Sequence, residues 1–474
     1  MGHQRKLRKA LGIAGRHPRL NGNPEPKPEK DPIQPTKGSV VASSFDFFSA
    51  SRTDVDALPL PSLVPRWSEP PGSLSLCLSR SLSLPRCAVS LRQVSPSQGA
   101  GGSDVEDEDV DLFSVNWNQD HSCFSAATAN GLRMFSCKPF KEQLRRIQED
   151  GGFRIVEMLF RTNIFGLVGQ GADKQYQQNK LTIWDDCHNL LIGDFSFKSN
   201  IRAVKLSKDY FVVALEHEIY VYSFKTLKLI HLIDTTSNPK GLCCLSHHAD
   251  ISVMACPGMR QGIVRVEHFG SKETKFITAH DSNISCMTLT VDGLLLATAS
   301  VRGTLIRIFN TMDGACLQEV RRGVDKAEIY SIALSPNLQW LAVSSDKGTM
   351  HIFSLRVRPR GKDASNGKSA IAGRQMDRSY SSGSVGSNAS SSLSFMKGIL
   401  PKYFSSEWSF AQFRLPEVTR YITAFGDQTT VMMIGLDGSF YRCSFDPVNG
   451  GKMVLDEFIR FMKPSMSRSR TPNT

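Results

Sequence analysis

The sequence predicts an all-β protein: a seven-bladed β-propeller with a disordered N-terminal extension and a long loop inserted in the sixth blade. Three observations predict it. Seven apolar runs each close on an aromatic residue, at Phe135, Trp184, Phe224, Phe269, Phe309, Phe353 and Phe445. They follow one another at intervals of 49, 40, 45, 40, 44 and 92 residues, and a period of about 40–45 with paired strands is the mark of propeller blades. Within the repeats, turn pairs such as NG, EH, RG, KG and DG separate two runs of alternating apolar residues, as in a β-hairpin.

Residues 1–110 come first and do not read as a blade. They hold 13 of the 23 prolines, in runs such as NPEPKPEKDP, and LSLCLSRSLSLPRC adds low complexity. Such composition favours a disordered extension over a packed core.

The propeller is expected over 111–461. Its repeats are CFSAATANGLRMF, LTIWD, FVVALEHEIYVYSF, ISVMACPGMRQGIVRVEHF, LLLATASVRGTLIRIF, WLAVSSDKGTMHIF and TVMMIGLDGSFYRCSF. The last interval exceeds the others by about one blade, and the excess, 356–404, contains NGKSAIAGRQ and SYSSGSVGSNASSSLS. That is loop composition, so 356–404 reads as an insertion. Residues 462–474 form a basic tail.

The formal net charge of +12 is carried by the appendages. The insertion has nine basic and two acidic residues, the extension up to residue 103 has 14 against 7, and DVEDEDVD at 104–111 is wholly acidic in its charges. A basic excess points to an anionic partner, either a nucleic acid or an acidic membrane surface. The 11 cysteines lack the short even spacing of a disulfide scaffold, which fits a reducing, cytoplasmic setting. Cys243, Cys244, His247 and His248 cluster, but without a second ligand pair, so no metal and no cofactor is expected. No apolar run has the roughly 18–20 residues that span a bilayer, and the N-terminus does not read as a secretory signal.

The stretch EVRRG, 319–323, sets two arginines side by side. Neighbouring side chains on a strand leave on opposite faces, so Arg321 and Arg322 should not share one anion and serve either two sites or none. On its own, an arginine doublet before a turn is an ordinary solvated strand end. Its surroundings decide. ATASVRGTLIRIF (297–309), EVRRG and AVSSDKGTMHIF (342–353), in that order and spacing, resemble the PROPPIN family, the WIPI-like WD-repeat propellers of autophagy. DTTSNPKGLC (234–243) and TAHDSNI (278–284) extend the likeness over about 113–461.

The resemblance implies a seven-bladed propeller that binds phosphatidylinositol 3-phosphate and the 3,5-bisphosphate through two pockets on its rim. It assigns Arg321 with Thr298, Ser300, Gly303, Thr304 and Arg307 to one pocket, bordered by His280. Arg322 with Gly323, Ser345, Thr349 and His351 goes to the other. The family hallmark is Phe-Arg-Arg-Gly or Leu-Arg-Arg-Gly; Val320 stands at its first position and keeps an apolar residue toward the core. The residue types suit the ligand independently, since a phosphate monoester takes guanidinium donors, short hydroxyls and closely approaching backbone.

The end of the insertion, SLSFMKGILPKYF (392–404), places Phe395, Met396, Ile399, Leu400, Tyr403 and Phe404 beside Lys397 and Lys402. Aromatic and aliphatic residues interleaved with lysines suit the interface of an anionic bilayer, and the resemblance implies a membrane-contacting loop in this blade. The alternative is a segment that packs back on the propeller.

The resulting expectation is a non-enzymatic phosphoinositide-binding scaffold acting in autophagosome formation with other autophagy proteins. It would be cytoplasmic and peripheral on preautophagosomal, endosomal or vacuolar membranes. The competing class is a generic WD-repeat interaction scaffold without lipid binding. No G-x-S-x-G, P-loop or Cys/His nucleophile pattern supports an enzyme. Basic stretches such as SRSR (467–470) lack the aromatic stacking residues of a nucleic-acid module, so no nucleic acid is expected.

Overall fold

The computed structural model describes residues 92–93, 110–148, 151–171, 177–248, 251–357, 386–389 and 406–462. Among them there is no helix, and seven antiparallel sheets follow one another along the chain. Blade one is built from Leu112–Trp117, Cys123–Thr128, Gly131–Cys137 and Phe140–Ile147. Blades two to five begin at Phe153–Met158, Ala203–Leu206, Cys244–Leu245 and Ile284–Leu289, and end at Leu190–Ser196, Leu229–Asp234, Glu273–Thr278 and Cys316–Arg321. Blade six runs from Ile329–Leu334 to Ala411–Arg414, and blade seven from Tyr421–Phe425 to Val454–Arg460.

Burial explains the sequence pattern. The second strands Cys123–Thr128, Ile164–Gly169, Val253–Pro257, Leu295–Ser300 and Trp340–Ser345 are buried at every residue. Neighbouring blades cover both of their faces, so they read as continuous apolar and small-residue runs instead of alternating ones. Outer strands are wetter; Leu229–Asp234 has a single buried residue, Ile233. The repeat-closing aromatics fall on the third strand of each blade or on the residue after it, and Phe353 there is fully buried. Burying one such side chain contributes about 1.5–3 kcal/mol.

The four main strands of each blade follow in chain order, interrupted only by residues 407–408 within blade six and 451–452 within blade seven, so no strand is shared between the two ends of the propeller. Closure rests on side chains. Phe124 and Phe135 of blade one meet Phe440 of blade seven and Phe461 just beyond it, with Phe124–Phe461 and Phe135–Phe461 ring centroids 5.1 and 5.0 Å apart. Aromatic pairs at such distances add about 0.5–1.5 kcal/mol beyond area burial.

Three outer edges carry an extra short strand. Arg92–Gln93 pairs with Phe140–Ile147 on blade one, Glu407–Trp408 runs parallel to Cys316–Arg321 on blade five, and Gly451–Lys452 runs parallel to Ala411–Arg414 on blade six. Two details amend the domain boundary. Arg92 and Gln93 form a strand within the expected extension, and Val110 is buried against blade seven residues because its apolar side chain completes the closing cluster. The insertion separates Thr349–Ser354 from Ala411–Arg414, the third and outer strands of blade six, as expected.

A candidate anion-binding rim

Strand alternation sorts the doublet. Val320 is fully buried and packs with Ile329, Leu341 and Val343 of blade six. Its neighbour Glu319 therefore lies on the opposite face, opposite Arg307, which itself pairs with Thr298. That row looks toward blade four, because an Arg307 Nη donates to the Ala279 carbonyl at 2.7 Å and His280 Nε2 is 2.9 Å from Thr298 Oγ1. Arg321 continues the row, and its Nε donates to Ser406 Oγ at 2.8 Å.

Arg322 turns the other way. Its backbone N–H donates to the Thr304 carbonyl at 2.9 Å, while its buried guanidinium donates from Nε to the Gly303 carbonyl at 2.7 Å and from Nη2 to the Asp325 carbonyl at 2.5 Å. Burial lowers the pKa of this group, and the nearby Asp346 and Asp325 oppose that effect. Across the cleft stands His351, on the face of blade six that carries Val343. Its ring is buried and its Nδ1 has no hydrogen-bond partner. Burial first, and the Arg322 charge second, push its pKa down to about 4. In the tautomer that carries its proton on Nδ1, this ring nitrogen and the neighbouring guanidinium would offer an anionic phosphate oxygen two donors.

The first cleft is similar in chemistry. His280 is pushed down to about 4 by burial and then by Arg307. Thr298 is completely buried, so its hydroxyl holds the imidazole and does not face solvent. Ser300 is also buried, and its Oγ lies 3.4 Å from the Arg302 N–H.

The structure regroups part of the expected set. Gly303 and Thr304, assigned with Arg321, bond Arg322 through their carbonyls. The cause is the Arg302–Gly303 turn, which carries its backbone to the side of the sheet facing blade six. Gly303 has φ +61°, and a Cβ there would stand 1.8 Å from the Ala327 carbonyl oxygen, so only glycine fits. Ser345 is buried and Thr349 half-buried on the blade six hairpin near His351. Gly323 has open space where a Cβ would stand. Nothing in the fold itself demands glycine at that position.

Glu319 was not anticipated. It accepts the Arg307 Nε at 2.7 Å and sets a carboxylate in the cleft beside Arg307. Its position two residues before Arg321 on one strand is the signal that would have revealed it. Exposed Arg302, Lys326 and Lys347 add positive charge to the same loops. Phe395, Met396, Ile399, Leu400 and Phe404 lie outside the described residues.

Cys243, Cys244, His247 and His248 line one cavity. Cys243 is buried in the core between blades three and four, the Cys244 thiol donates to the Met287 carbonyl at 3.1 Å, and burial raises both thiol pKa values. Among the described residues no group of three or more His, Cys, Asp or Glu is placed to hold a metal ion. Nor is any helix long and apolar enough to cross a membrane.

The profile described as PROPPIN matches residues 111–457. The chain belongs to the PROPPIN family. This PROPPIN chain is 46% identical over 374 residues to autophagy-related protein 18e of Arabidopsis thaliana, an alignment covering 78% of this chain and 92% of the relative. It is 34% identical over 367 residues to autophagy-related protein 18 of Dictyostelium discoideum, covering 76% and 96%. Among solved structures, Kluyveromyces lactis Hsv2 superimposes with a TM-score of 0.57 at 20% identity, covering 74% of this chain and 99% of that one. A complex of KlAtg21 with the coiled-coil of AgAtg16 does so with a TM-score of 0.57 at 23% identity, again over 74% and 99%. Identities at that level establish the propeller fold of this PROPPIN and nothing finer.

Proposed function

We propose that this chain binds phosphatidylinositol 3-phosphate and phosphatidylinositol 3,5-bisphosphate in two rim pockets. In this reading it acts as a peripheral membrane scaffold in autophagosome formation. One observation carries the proposal: consecutive arginines enter different clefts, each with a buried imidazole of lowered pKa and short hydroxyls. The chemistry is recognition. A dianionic phosphate monoester would take charge-assisted hydrogen bonds worth roughly 1.5–3 kcal/mol each from the guanidinium groups. Two pockets on one rim also make the second binding event intramolecular on a membrane.

The apolar and lysine residues of 392–404 would supply bilayer contact, with the headgroup pockets supplying selectivity. The family membership and the autophagy names of the relatives support the biological setting. The solved complex of a similar propeller with a coiled coil supports protein partners of that kind. The site of action would be preautophagosomal, endosomal or vacuolar membranes.

Flotation of the full chain with vesicles containing or lacking these phosphoinositides tests the proposal. Wild type should float only with the phosphoinositide vesicles, and the folded Arg321→Thr/Arg322→Thr double variant should stay behind. Equal flotation of both proteins would leave an interaction scaffold without lipid recognition.

A further inference from the structure

Residues 386–389 sit in a serine- and glycine-rich stretch of the insertion that reads as loop, yet Asn388 is 4% exposed. Its side-chain amide pairs with Ser354 in both directions, as a neighbouring strand residue would. Nδ2 donates to the Ser354 carbonyl at 2.8 Å, and Oδ1 accepts the Ser354 N–H at 2.6 Å. Nδ2 also reaches Glu407 Oε2 at 2.9 Å, and the same oxygen accepts Gln318 Nε2 at 2.9 Å. Gln318 in turn donates to the Ser354 carbonyl at 3.1 Å and accepts the Arg356 N–H at 3.0 Å. Asn388, Glu407, Gln318 and the Ser354 backbone thus form a buried network joining blades five and six to the insertion. Such networks specify one geometry when every member is satisfied, and lose it when one partner is removed.

Two backbone bonds flank the network. The Gly386 N–H donates to the Pro447 carbonyl at 2.8 Å, and a Cβ on Gly386 would stand 2.3 Å from the Phe410 ring. The Trp408 N–H donates to the Ala389 carbonyl at 2.8 Å, so the residues on either side of 390–405 are held together. Ser406, at the end of that span, accepts Arg321 Nε.

We propose that Asn388 is a positioning residue that divides the insertion into two spans, 358–385 and 390–405, and delivers only the second to the bilayer beside the Arg321 pocket. This rests on the membrane reading above. The division assigns different tasks to the spans. Residues 390–405 carry Phe395, Met396, Ile399, Leu400 and Phe404 with two lysines and no acid, whereas 358–385 carry six basic and two acidic residues among serines and glycines. Without the pin, a 16-residue span becomes part of one of 48 residues. The longer span confines its apolar residues to the rim less closely, which weakens membrane engagement.

The test uses the full chain and three variants: Asn388→Ala, Asn388→Asp, and replacement of 358–385 by a shorter Gly-Ser linker that keeps its six basic and two acidic residues. Binding is measured to phosphatidylcholine/phosphatidylserine vesicles with phosphatidylinositol 3-phosphate, and to soluble inositol 1,3-bisphosphate. Both Asn388 variants should bind vesicles more weakly with soluble-headgroup affinity unchanged, and the linker variant should match wild type on both probes. Limited proteolysis should show two cleavable windows separated by a protected 386–389 in wild type, merging into one in the Asn388 variants. Vesicle binding at wild-type strength in the Asn388 variants overturns the proposal, as does parallel loss of soluble headgroup or loss of vesicle binding by the linker variant. A wild type that ignores both probes sinks the membrane reading and the delivery role together. The cleavage pattern then still decides whether Asn388 divides the insertion.

Discussion

Arg321 and Arg322 are consecutive, yet Arg321 Nε bonds Ser406 Oγ at 2.8 Å while Arg322 Nε bonds the Gly303 carbonyl at 2.7 Å. The two side chains look into clefts on opposite faces of blade five. Calorimetry with a soluble headgroup should therefore report two sites for wild type and one for either single Arg→Thr variant. Losing a charge-assisted pair of roughly 1.5–3 kcal/mol weakens the affected site about 10–100-fold. A single site in wild type would break the two-cleft reading.

Glu319 takes the Arg307 Nε and places negative charge in the first cleft. Glu319→Gln keeps the hydrogen-bond geometry and removes the charge. Headgroup affinity at that site should rise by about three- to tenfold, with the gain shrinking as salt screens the site. Weaker binding would mean that the carboxylate orients Arg307 for the ligand.

Glycines 303 and 323 should separate stability from binding. Gly303→Ala meets the Ala327 carbonyl oxygen and a left-handed backbone, so it should lower stability by at least about 2 kcal/mol. Gly323→Ala has open space around it and should unfold like wild type. It should weaken the Arg322 site where backbone and phosphate approach closely. Denaturant titration and calorimetry on both variants read the difference.

The histidines predict an acid limit. His280 and His351 are held neutral down to about pH 4, against 6.5 for an unperturbed imidazole. Between those values the unfolded chain binds protons that the folded rings refuse, so stability falls as pH drops through that window. By pH 5 each ring should cost roughly 2 kcal/mol. Melting temperature should decline from pH 7 to pH 5, and less steeply in His351→Gln.

Headgroup recognition and bilayer contact should be separable. Replacing Phe395, Ile399, Leu400 and Phe404 by serine should weaken vesicle binding strongly, since apolar burial contributes about 25 cal/mol per Å². Calorimetry should find soluble headgroup bound as in wild type. Flotation at wild-type levels would show that this segment is no anchor.

The blades were legible because their signal is local and repeated. An aromatic closing each third strand, with a turn about five to eight residues earlier, survives even where burial on both faces erases alternation. Val320 was legible too, as an apolar residue between charged neighbours, and it is fully buried. Asn388 was not. Its partners Ser354 and Glu407 lie 34 and 19 residues away, and among serines and glycines an asparagine carries no sign of burial. The regrouping of Gly303 and Thr304 was hidden for a related reason: strand alternation gives side-chain faces, while these residues act through carbonyls in and beside a turn. The aromatic closure between blades one and seven joins residues more than 300 positions apart, and no local pattern reports it.

That closure has a consequence for how the ring can be re-cut. Val110 and Met462, at the two ends of the described propeller, belong to one apolar cluster, and no blade draws its four main strands from both ends of the chain. The junction between blades one and seven therefore rests on packed side chains, as a junction between consecutive blades does. A circular permutant that links these ends and opens the chain between blades two and three, at the exposed residues 198–200, keeps every blade hairpin intact. Its two arginine clefts would lie in the middle of an uninterrupted segment. Connectivity in this propeller is thus a matter of where the chain happens to start, and the rim chemistry is indifferent to it.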